Sequence, residues 1–496
     1  MSQDPVADLE LLIRSRHGII HVDSIEDERV QQVLRLVSDK LTVPFFIWTR
    51  THGICRDGYS NGIYDTTDAL KALAHVAAAD TAAVYHFVGF GTLLENEAVV
   101  DRLKSVSERL GERRGAVVMS GQDLAFPPGL SRLVATMKLP KPDVEEFRSM
   151  LRQVHRDIAR RSHVHVDLPP ADETRLLNSL KGLTMLEAAR VVTRAIVRDN
   201  RLTADDIQEV IQAKKEIVER EGVLEYYTAE MSMTDVAALA GLKDWLAKRK
   251  LFLTQADRAA EFGLSFPKGI LLIGVPGCGK SLCARAVATE WGLPLLKLDT
   301  ASLYNKFVGE TERNFRRALE TAERLAPCVL FIDELEKAFG GGGGTEDGGL
   351  SQRVLGTFLT WLQDRNGDVF TVATANDIER LPPELLRKGR FDEVFFVDLP
   401  DATARAEILT IQLRLRKQNA ATIDSASVVR ATEGFSGAEI EQVVVSGLYS
   451  AFAAGGALTT EALVAEAQAT RPLSVTMAEK VAALRQWAKD RAVSAN

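Results

Sequence analysis

The chain has 496 residues, of which 46% are hydrophobic and 26% are charged, and its formal net charge is −7. This length predicts about two to four domains with cores of their own, and the composition is typical of a globular protein. The acidic balance without a long basic run argues against nucleic acid as a partner, and no apolar stretch reaches the roughly 18 residues of a membrane span.

The N-terminus and the cysteines favour a cytoplasmic location. Met1–Pro5 contains no basic segment followed by an apolar one, so we predict no signal peptide. The four cysteines form no Cys-x-x-Cys pair, which favours free thiols in a reducing compartment.

The N-terminal part of the chain contains four apolar segments with the length of buried strands: Gly18–Val22, Pro44–Trp48, Ala83–Val88 and Gly115–Met119. It contains no Gly-Lys-Ser or Gly-Lys-Thr sequence, and Gly89 stands where an acidic pair would follow the third strand. We predict an α/β module without a nucleotide site at residues 1–165, retained for docking, assembly or regulation. A helical lid-like region and a linker are predicted at residues 166–230, with the linker at Leu224–Met233.

From Gly269 onward, apolar strands alternate with amphipathic helices, which predicts a parallel sheet covered on both faces. The predicted strands are Gly269–Ile273, Pro294–Leu298, Cys328–Ile332, Val369–Ala373 and Glu393–Val397. After Pro400 the pattern is helical to the end. We predict an α/β domain at residues 231–400 and a small helical domain at 401–496.

Two pairs of similar segments suggest an internal repeat. Phe126–Leu130 resembles Leu381–Leu385, and Gly182–Glu187 resembles Gly434–Glu439. We infer two related modules in tandem. Coincidence between short segments rich in proline and glycine is the alternative.

The sequence Gly274–Ser281 fits the phosphate-loop pattern G-x-x-x-x-G-K-[ST], and it lies between a predicted strand and a predicted helix. Backbone N–H groups of such a loop point into one concavity that holds phosphate oxygens. Lys280 would reach the β- and γ-phosphates, and the Ser281 hydroxyl would bind Mg²⁺. The predicted nucleotide-contacting residues of this segment are Gly274, Val275, Pro276, Gly277, Cys278, Gly279, Lys280, Ser281 and Leu282.

Polar residues follow two later strands. Asp333 and Glu334 end the apolar run that begins at Cys328, and parallel strands would bring them beside the phosphates. We predict that Asp333 orders Mg²⁺, that Glu334 polarises the attacking water and that Asn376 positions this water. Arg387 and Arg390 would neutralise charge that develops on the γ-phosphoryl group.

These motifs, in this order, resemble those of AAA ATPases of the family that includes proteasomal ATPases, katanin and spastin. The resemblance covers residues from about 234 to 490, and it implies a P-loop NTPase sheet with a helical lid domain. Gly274–Ser281 resembles the Walker A motif, Phe331–Glu334 the Walker B motif and Asn376 sensor 1. Arg387 and Arg390 match the two arginine-finger positions.

The same resemblance assigns two further segments to the nucleotide. Asp235, Val236 and Ala237 match the segment that contacts adenine, although the family usually has glycine where Ala237 stands. Gly437 and Ala438 lie in the sensor-2 segment, where Gly-Ala replaces the arginine of other AAA proteins.

A pore loop is also implied by the resemblance. Lys306, Phe307, Val308 and Gly309 resemble the first pore loop, whose aromatic residue grips an extended polypeptide. A core phenylalanine under the loop is the alternative for Phe307. The glycine run at Gly340–Gly344 would form a second loop in the channel.

Whole-chain organisation resembles a subfamily of cyanobacterial and plastid reading frames in which a degenerate AAA-like module precedes an active one. The implied function is a cytoplasmic, Mg²⁺-dependent ATPase that binds ATP, assembles as a homo-oligomer, usually a hexameric ring, and remodels or threads a protein client. The alternative is a scaffold whose assembly is controlled by nucleotide, without threading. An ATPase that engages DNA is disfavoured by the lack of a basic stripe.

Overall fold

The computed structural model describes residues 4–59, 61–122, 124–160, 164–220, 222–227, 233–299, 310–339, 350–365 and 367–496. Backbone contacts divide the chain into a first unit, Met1–Val210, and a second unit, Ile211–Asn496. No helix in these ranges combines the length and the apolarity that crossing a lipid bilayer requires.

The first unit contains a six-stranded sheet with the order β3-β2-β4-β5-β1-β6. Neighbouring strands run parallel, except that β2 and β3 are antiparallel. The four predicted strands appear as β1, β2, β4 and β5, each with ends shifted by one residue. The edge strands β3 and β6 were not predicted, since β3 is short and most of β6 is not buried. The strands are β1 (Ile19–Asp23), β2 (Phe45–Thr49), β3 (Gly53–Arg56), β4 (Val84–Phe87), β5 (Ala116–Ser120) and β6 (Val134–Lys138).

Helices cover both faces of this sheet because each helix turns an apolar stripe inward. Leu9, Ile13, Val30 and Leu34, from the first two helices, pack on one face. The third and fourth helices pack on the other face. The short helix before β6 adds Leu130 to this second face, and the helices after β6 flank a short two-stranded sheet of β7 (His165–Asp167) and β8 (Arg201–Thr203). The helices are α1 (Pro5–Arg14), α2 (Asp27–Leu41), α3 (Ala69–Ala78), α4 (Glu97–Arg113), α5 (Pro128–Ser131), α6 (Val144–Ala159), α7 (Pro170–Leu180), α8 (Met185–Asp199) and α9 (Asp206–Glu219), of which α9 crosses the unit boundary.

The second unit contains a seven-stranded sheet with the order β15-β14-β10-β13-β12-β11-β9. The strands run parallel, except that β9 is antiparallel to β11. All five predicted strands are confirmed, two of them with the predicted ends. The strands are β9 (Leu224–Tyr227), β10 (Gly269–Gly274), β11 (Leu295–Leu298), β12 (Cys328–Ile332), β13 (Val369–Ala375), β14 (Glu393–Val397) and β15 (Val493–Ser494).

Two expectations about this unit were wrong. Leu224–Tyr227 is an edge strand and not a linker, because its alternating residues Leu224 and Tyr226 are buried. The C-terminal part is not helical to its end, because Val493–Ser494 adds a strand beside β14. Both segments are too short for periodicity to distinguish them from loops.

Helices cover both faces of the second sheet, and those after β14 form a helical region with its own apolar cluster around Leu409, Phe435, Val444 and Leu463. The helices are α10 (Ala240–Thr254), α11 (Ala256–Glu261), α12 (Lys280–Trp291), α13 (Glu310–Arg324), α14 (Leu335–Phe339), α15 (Leu350–Asp364), α16 (Ala402–Leu415), α17 (Ser425–Ala431), α18 (Gly437–Ala453), α19 (Thr460–Ala469), α20 (Leu473–Thr476) and α21 (Ala478–Ala488).

The two sheets share one topology. The order β6-β1-β5-β4-β2 of the first unit corresponds to β14-β10-β13-β12-β11 of the second. The turn after β4 and the turn after β12 both contain a left-handed residue, Gly89 with φ 66° and Glu334 with φ 51°. This correspondence supports two related modules in tandem. It also places the ends of β10, β12 and β13 side by side.

Candidate nucleotide site

A cavity of about 460 Å³ lies at the carboxyl ends of β10, β12 and β13 in the second unit. It brings together predicted site residues that are up to about two hundred positions apart in the chain. Gly274 and Val275 do not line it, although their carbonyls contact Lys280. The predicted residues that line it are Asp235, Val236, Ala237, Pro276, Gly277, Cys278, Gly279, Lys280, Ser281, Leu282, Asp333, Glu334, Asn376, Gly437 and Ala438.

The phosphate loop places the ammonium group of Lys280 at the start of α12. Gly279, with φ 86°, precedes the helix in a left-handed conformation that strongly favours glycine. Lys280 is 5% exposed, and its Nζ donates hydrogen bonds to the carbonyls of Gly274 and Val275 at 2.9 and 2.8 Å. Burial lowers the pKa of Lys280 to about 8. A phosphate group beside Nζ would favour the charged form and oppose this shift.

The Walker B segment is hydrogen-bonded to the phosphate loop and to β13. The Ser281 hydroxyl lies 3.1 and 3.3 Å from the two carboxylate oxygens of Asp333. Thr374 donates from its hydroxyl to Asp333 at 2.5 Å and accepts the N–H of Glu334 at 3.0 Å. Thr374 thus fixes both acidic positions. The sequence analysis assigned Thr374 no role, because a threonine at the end of an apolar strand is common.

Glu334 is held from two sides. Its Oε1 accepts a hydrogen bond from Asn376 Nδ2 at 3.3 Å, and its Oε2 lies 2.6 Å from Lys337 Nζ. The ion pair is largely exposed, with Lys337 66% and Glu334 38% accessible. Lys337 was not predicted. The only sequence signal for it is that it lies three residues after Glu334, a spacing at which side chains of a helical turn can meet.

Glu336 is a third residue to which the sequence analysis assigned no role. Its Oε1 accepts the backbone N–H of Asn376 at 3.0 Å, which fixes the backbone of the residue predicted to position water. Burial raises the pKa of Glu336 above its usual range. Among the described residues its Oε2 has no hydrogen-bond partner.

The N-terminus of α18 contacts the phosphate loop directly. Ala438 donates its backbone N–H to the Gly277 carbonyl at 3.0 Å. A Cβ atom at Gly277 would lie 3.0 Å from the Ser436 hydroxyl and 3.1 Å from the Ala438 side chain, so a larger residue would push α18 away. Burial raises the pKa of Cys278 to about 11, so this thiol is a neutral filling group beside the loop.

The opposite wall of the same cavity contains the predicted adenine segment. Asp235 ends a short 3₁₀ turn, Met233–Asp235, and Val236 is buried. Ile408 and Ile411 of α16 also line the cavity and supply apolar surface. The site therefore combines a polar loop with an apolar slot, as sites for small ligands usually do.

The two predicted finger residues lie outside this cavity. Arg387 is exposed and follows the 3₁₀ turn Pro383–Leu386, and its side chain makes no hydrogen bond or ion pair with any described residue. The Arg390 guanidinium donates to the carbonyl of Leu359 on α15. Asp392 fixes the end of the loop that contains both arginines, because its carboxylate accepts the backbone N–H of Gly269 at 3.0 Å.

The predicted pore-loop residues Lys306, Phe307, Val308 and Gly309 lie outside the described residues, as does the glycine run Gly340–Gly344.

The residues present fit a magnesium ion. The hydroxyl of Ser281 and the carboxylate of Asp333 are adjacent oxygen donors, which Mg²⁺ prefers. Within the described ranges no cluster of three or more His, Cys, Asp or Glu side chains is suited to a metal. An ion here would take the rest of its ligands from phosphate and water, as Mg²⁺ usually does.

The corresponding sheet edge of the first unit has different chemistry. Asp27 is the first residue of α2, as Lys280 is of α12. The Ser120 hydroxyl donates to the Asp27 carboxylate and lies 2.7 Å from Nε2 of the buried His86. Burial lowers the pKa of His86 to about 4, so the ring is neutral at pH 7. A carboxylate in place of the ammonium group would repel phosphate.

Family models match three parts of the chain. Residues 270–399 match "ATPase family associated with various cellular activities (AAA)". Residues 5–139 match "SpoVK-like AAA ATPase, N-terminal domain", and residues 145–221 match "SpoVK-like AAA ATPase, second domain". The match at 270–399 includes the phosphate loop, both Walker B carboxylates and the loop that contains Arg387 and Arg390.

Similar proteins cover nearly the whole chain. A protein of Guillardia theta described as "Uncharacterized AAA domain-containing protein ycf46" is 33% identical over 487 residues, which are 97% of this chain and 94% of that protein. The proteins with the same description from Trieres chinensis and Pyropia yezoensis are 33% and 32% identical, and the matches cover 96% and 97% of their lengths.

Replacing Thr374 by valine should destabilise the second unit. Valine keeps the shape of this 1% exposed side chain, but it removes one of the donors to the Asp333 carboxylate and the acceptor of the Glu334 N–H. We expect the free energy of unfolding to fall by about 1–3 kcal/mol, measured by urea denaturation. Thr410→Val, at an exposed position of α16, is the matched control and should change it by less than about 0.5 kcal/mol. Equal stability of the two variants would contradict the bridging role.

Proposed function

Because the chain belongs to the AAA family of ATPases, we propose that it binds ATP and hydrolyses it to ADP and phosphate with the help of Mg²⁺. The observation that supports this most directly is the buried ammonium group of Lys280, next to the contact between Ser281 and Asp333. An ammonium group in this position needs an anion, and the loop N–H groups around it favour phosphate.

In this proposal the chain positions the reactants more than it reacts with them. Lys280 and the loop hold the β- and γ-phosphates. Mg²⁺, when bound at Ser281 and Asp333, would neutralise phosphate charge. Glu334 accepts a proton from water as the oxygen attacks the γ-phosphorus and the bond to ADP breaks. Asn376 holds the Glu334 carboxylate in place through the contact at 3.3 Å.

The active form in this proposal is a homo-oligomeric ring, a hexamer as is usual in the family. Arg387 is exposed, and it does not line the cavity of its own chain. A neighbouring subunit could therefore receive Arg387 and Arg390 at its own nucleotide. Such a contact joins two different surfaces, and contacts of this kind form a ring when the rotation between subunits closes.

The work done by the ring is proposed to be the remodelling or threading of a protein client. This part of the proposal rests on Lys306–Gly309, which resembles a pore loop with Phe307 as the gripping residue. The proposed location is the cytoplasm, a reducing compartment that suits the free cysteines Cys55, Cys278, Cys283 and Cys328. For a relative of plastid origin, the corresponding compartment would be the interior of the plastid. Neither a membrane nor nucleic acid is among the proposed partners.

Glu334→Gln should separate binding from hydrolysis. Glutamine keeps the size of the side chain but cannot take the proton of the attacking water. We expect turnover to fall by about 10²-fold or more, while ATP stays bound after purification and rings with client proteins accumulate. Steady-state phosphate release, nucleotide content and light scattering after size-exclusion chromatography measure these effects. Turnover equal to the wild type would show that another group activates the water.

Arg387→Ala should slow hydrolysis strongly, and mixing with a second inactive variant should restore part of the rate. Arginine fingers contribute up to about 10³–10⁵ in rate, so we expect at least a tenfold loss. Lys388→Ala changes the exposed neighbouring cation and should keep the rate.

Mixing Arg387→Ala with Lys280→Ala tests whether the finger acts on a neighbour. One variant keeps an intact nucleotide site and the other keeps an intact finger, so mixed rings contain complete sites. Partial recovery of phosphate release is the expected result. A mixture as inactive as its two components would argue that Arg387 does not act across subunits.

A further inference from the structure

The wall of the cavity formed by Asp235–Leu239, here called the base wall, has an unusual backbone. Ala238 and Leu239 are consecutive residues with φ of 55° and 58°. The left-handed region is sparsely populated by residues with a Cβ atom, and such conformations persist only when surrounding contacts impose them. The contacts that impose this conformation are therefore part of the site.

Two side chains from distant parts of the chain hold these two residues. Glu407 of α16 accepts the backbone N–H of Ala238 at 2.9 Å. Asn496, which follows β15, accepts the backbone N–H of Leu239 through Oδ1 at 3.2 Å. Both N–H groups of the left-handed pair are thus satisfied by side-chain oxygens. The Asp235 carboxylate, at the beginning of the wall, pairs with Arg414 of the same helix α16.

Asn496 is fixed in this position by the strand that precedes it. Buried Ala495 donates its N–H to the Phe396 carbonyl at 3.0 Å, and its carbonyl accepts the N–H of Leu242 at 3.0 Å. A Cβ atom at Gly241 would lie 3.1 Å from the Ser494 carbonyl oxygen, so the tail crosses the beginning of α10 in close contact. Asn496 itself lines the nucleotide cavity.

Within the base wall, both backbone groups of Ala237 are available to a ligand. Among the described residues, the N–H and the carbonyl of Ala237 take part in no hydrogen bond, and Ala237 lines the cavity. A backbone donor and acceptor in fixed positions can read the edge of a purine ring. Adenine offers a donor at N6 where guanine offers an acceptor at O6.

We propose that Glu407 and Asn496 are positioning residues for recognition of the nucleotide base. They hold the base wall so that Ala237 meets an adenine edge between Val236 and Ile408. This inference rests on the proposed function, since it concerns the same cavity. It adds that the helical region and the C-terminal strand both determine base affinity, although neither contains the phosphate loop.

The test compares ligands with and without a base. We expect Glu407→Ala and Asn496→Ala to raise the KM and the Kd for ATP by about 3- to 10-fold, the effect of one lost hydrogen bond. The preference for ATP over GTP should fall by a similar factor, and kcat should stay within about twofold. The Kd for inorganic tripolyphosphate, which has no base, should not change. Calorimetry measures binding without requiring hydrolysis.

Conservative variants separate positioning from folding. Glu407→Gln and Asn496→Asp keep an acceptor oxygen and should restore the wild-type KM and base preference. Asn496→Leu keeps the side-chain size but removes the acceptor. It is used in place of Asn496→Ala if the alanine variant unfolds at a lower temperature than the wild type. Glu461→Ala, at an exposed position of α19, is the control without effect.

The outcomes distinguish this inference from the proposed function. Unchanged KM, Kd and base preference in both alanine variants, with normal hydrolysis, would overturn the inference alone. An equal loss of affinity for ATP and tripolyphosphate would also overturn it, because the two residues would then support the whole domain. A wild-type protein that binds neither ligand would instead refute the proposed function.

Discussion

The carboxyl ends of three neighbouring parallel strands, β10, β13 and β12, are the constraint on which the site depends. Their order brings the buried ammonium group of Lys280, the hydroxyls of Ser281 and Thr374, and the carboxylates of Asp333 and Glu334 to one edge of the sheet. The hydrogen bonds of this ammonium group go to two neutral carbonyl oxygens, and burial lowers its pKa to about 8 in spite of the nearby carboxylates. A phosphate anion beside Nζ would compensate this buried charge.

The base wall, the helical region and the C-terminal strand of the second unit close around this edge. The helical region contacts it through two hydrogen bonds. Ala438 donates its N–H to the Gly277 carbonyl, and the Glu407 carboxylate accepts the N–H of Ala238. The C-terminal strand contacts it because the side chain of Asn496, which follows this strand, accepts the N–H of Leu239. Because a nucleotide would touch surfaces from all of them, its binding and release would change their contacts with one another. This is the physical basis on which a hydrolysis cycle could move one part of a subunit against another.

The strands and the phosphate loop were predictable because their signals are local. Buried parallel strands form continuous apolar runs, so Cys328–Ile332 and Glu393–Val397 were predicted with the observed ends. Residues that act through tertiary contacts were not predictable. Thr374 looks like any strand threonine, Lys337 like any solvated helix lysine and Asn496 like any tail residue, until the fold brings them to the cavity. The short strands β9 and β15 were missed because their pairing partners, and not their own sequences, determine them.

The most direct test of this account is the affinity of the protein for ATP when the ammonium group of Lys280 is removed. Calorimetric titration with Mg²⁺ and ATP should compare the wild type with Lys280→Ala, and with Lys480→Ala as an exposed lysine control. The account predicts that Lys280→Ala loses at least about tenfold in affinity, the effect of a lost hydrogen bond to a charged group, while the control binds normally. Equal affinity of all three proteins would contradict the claim that this ammonium group holds the triphosphate.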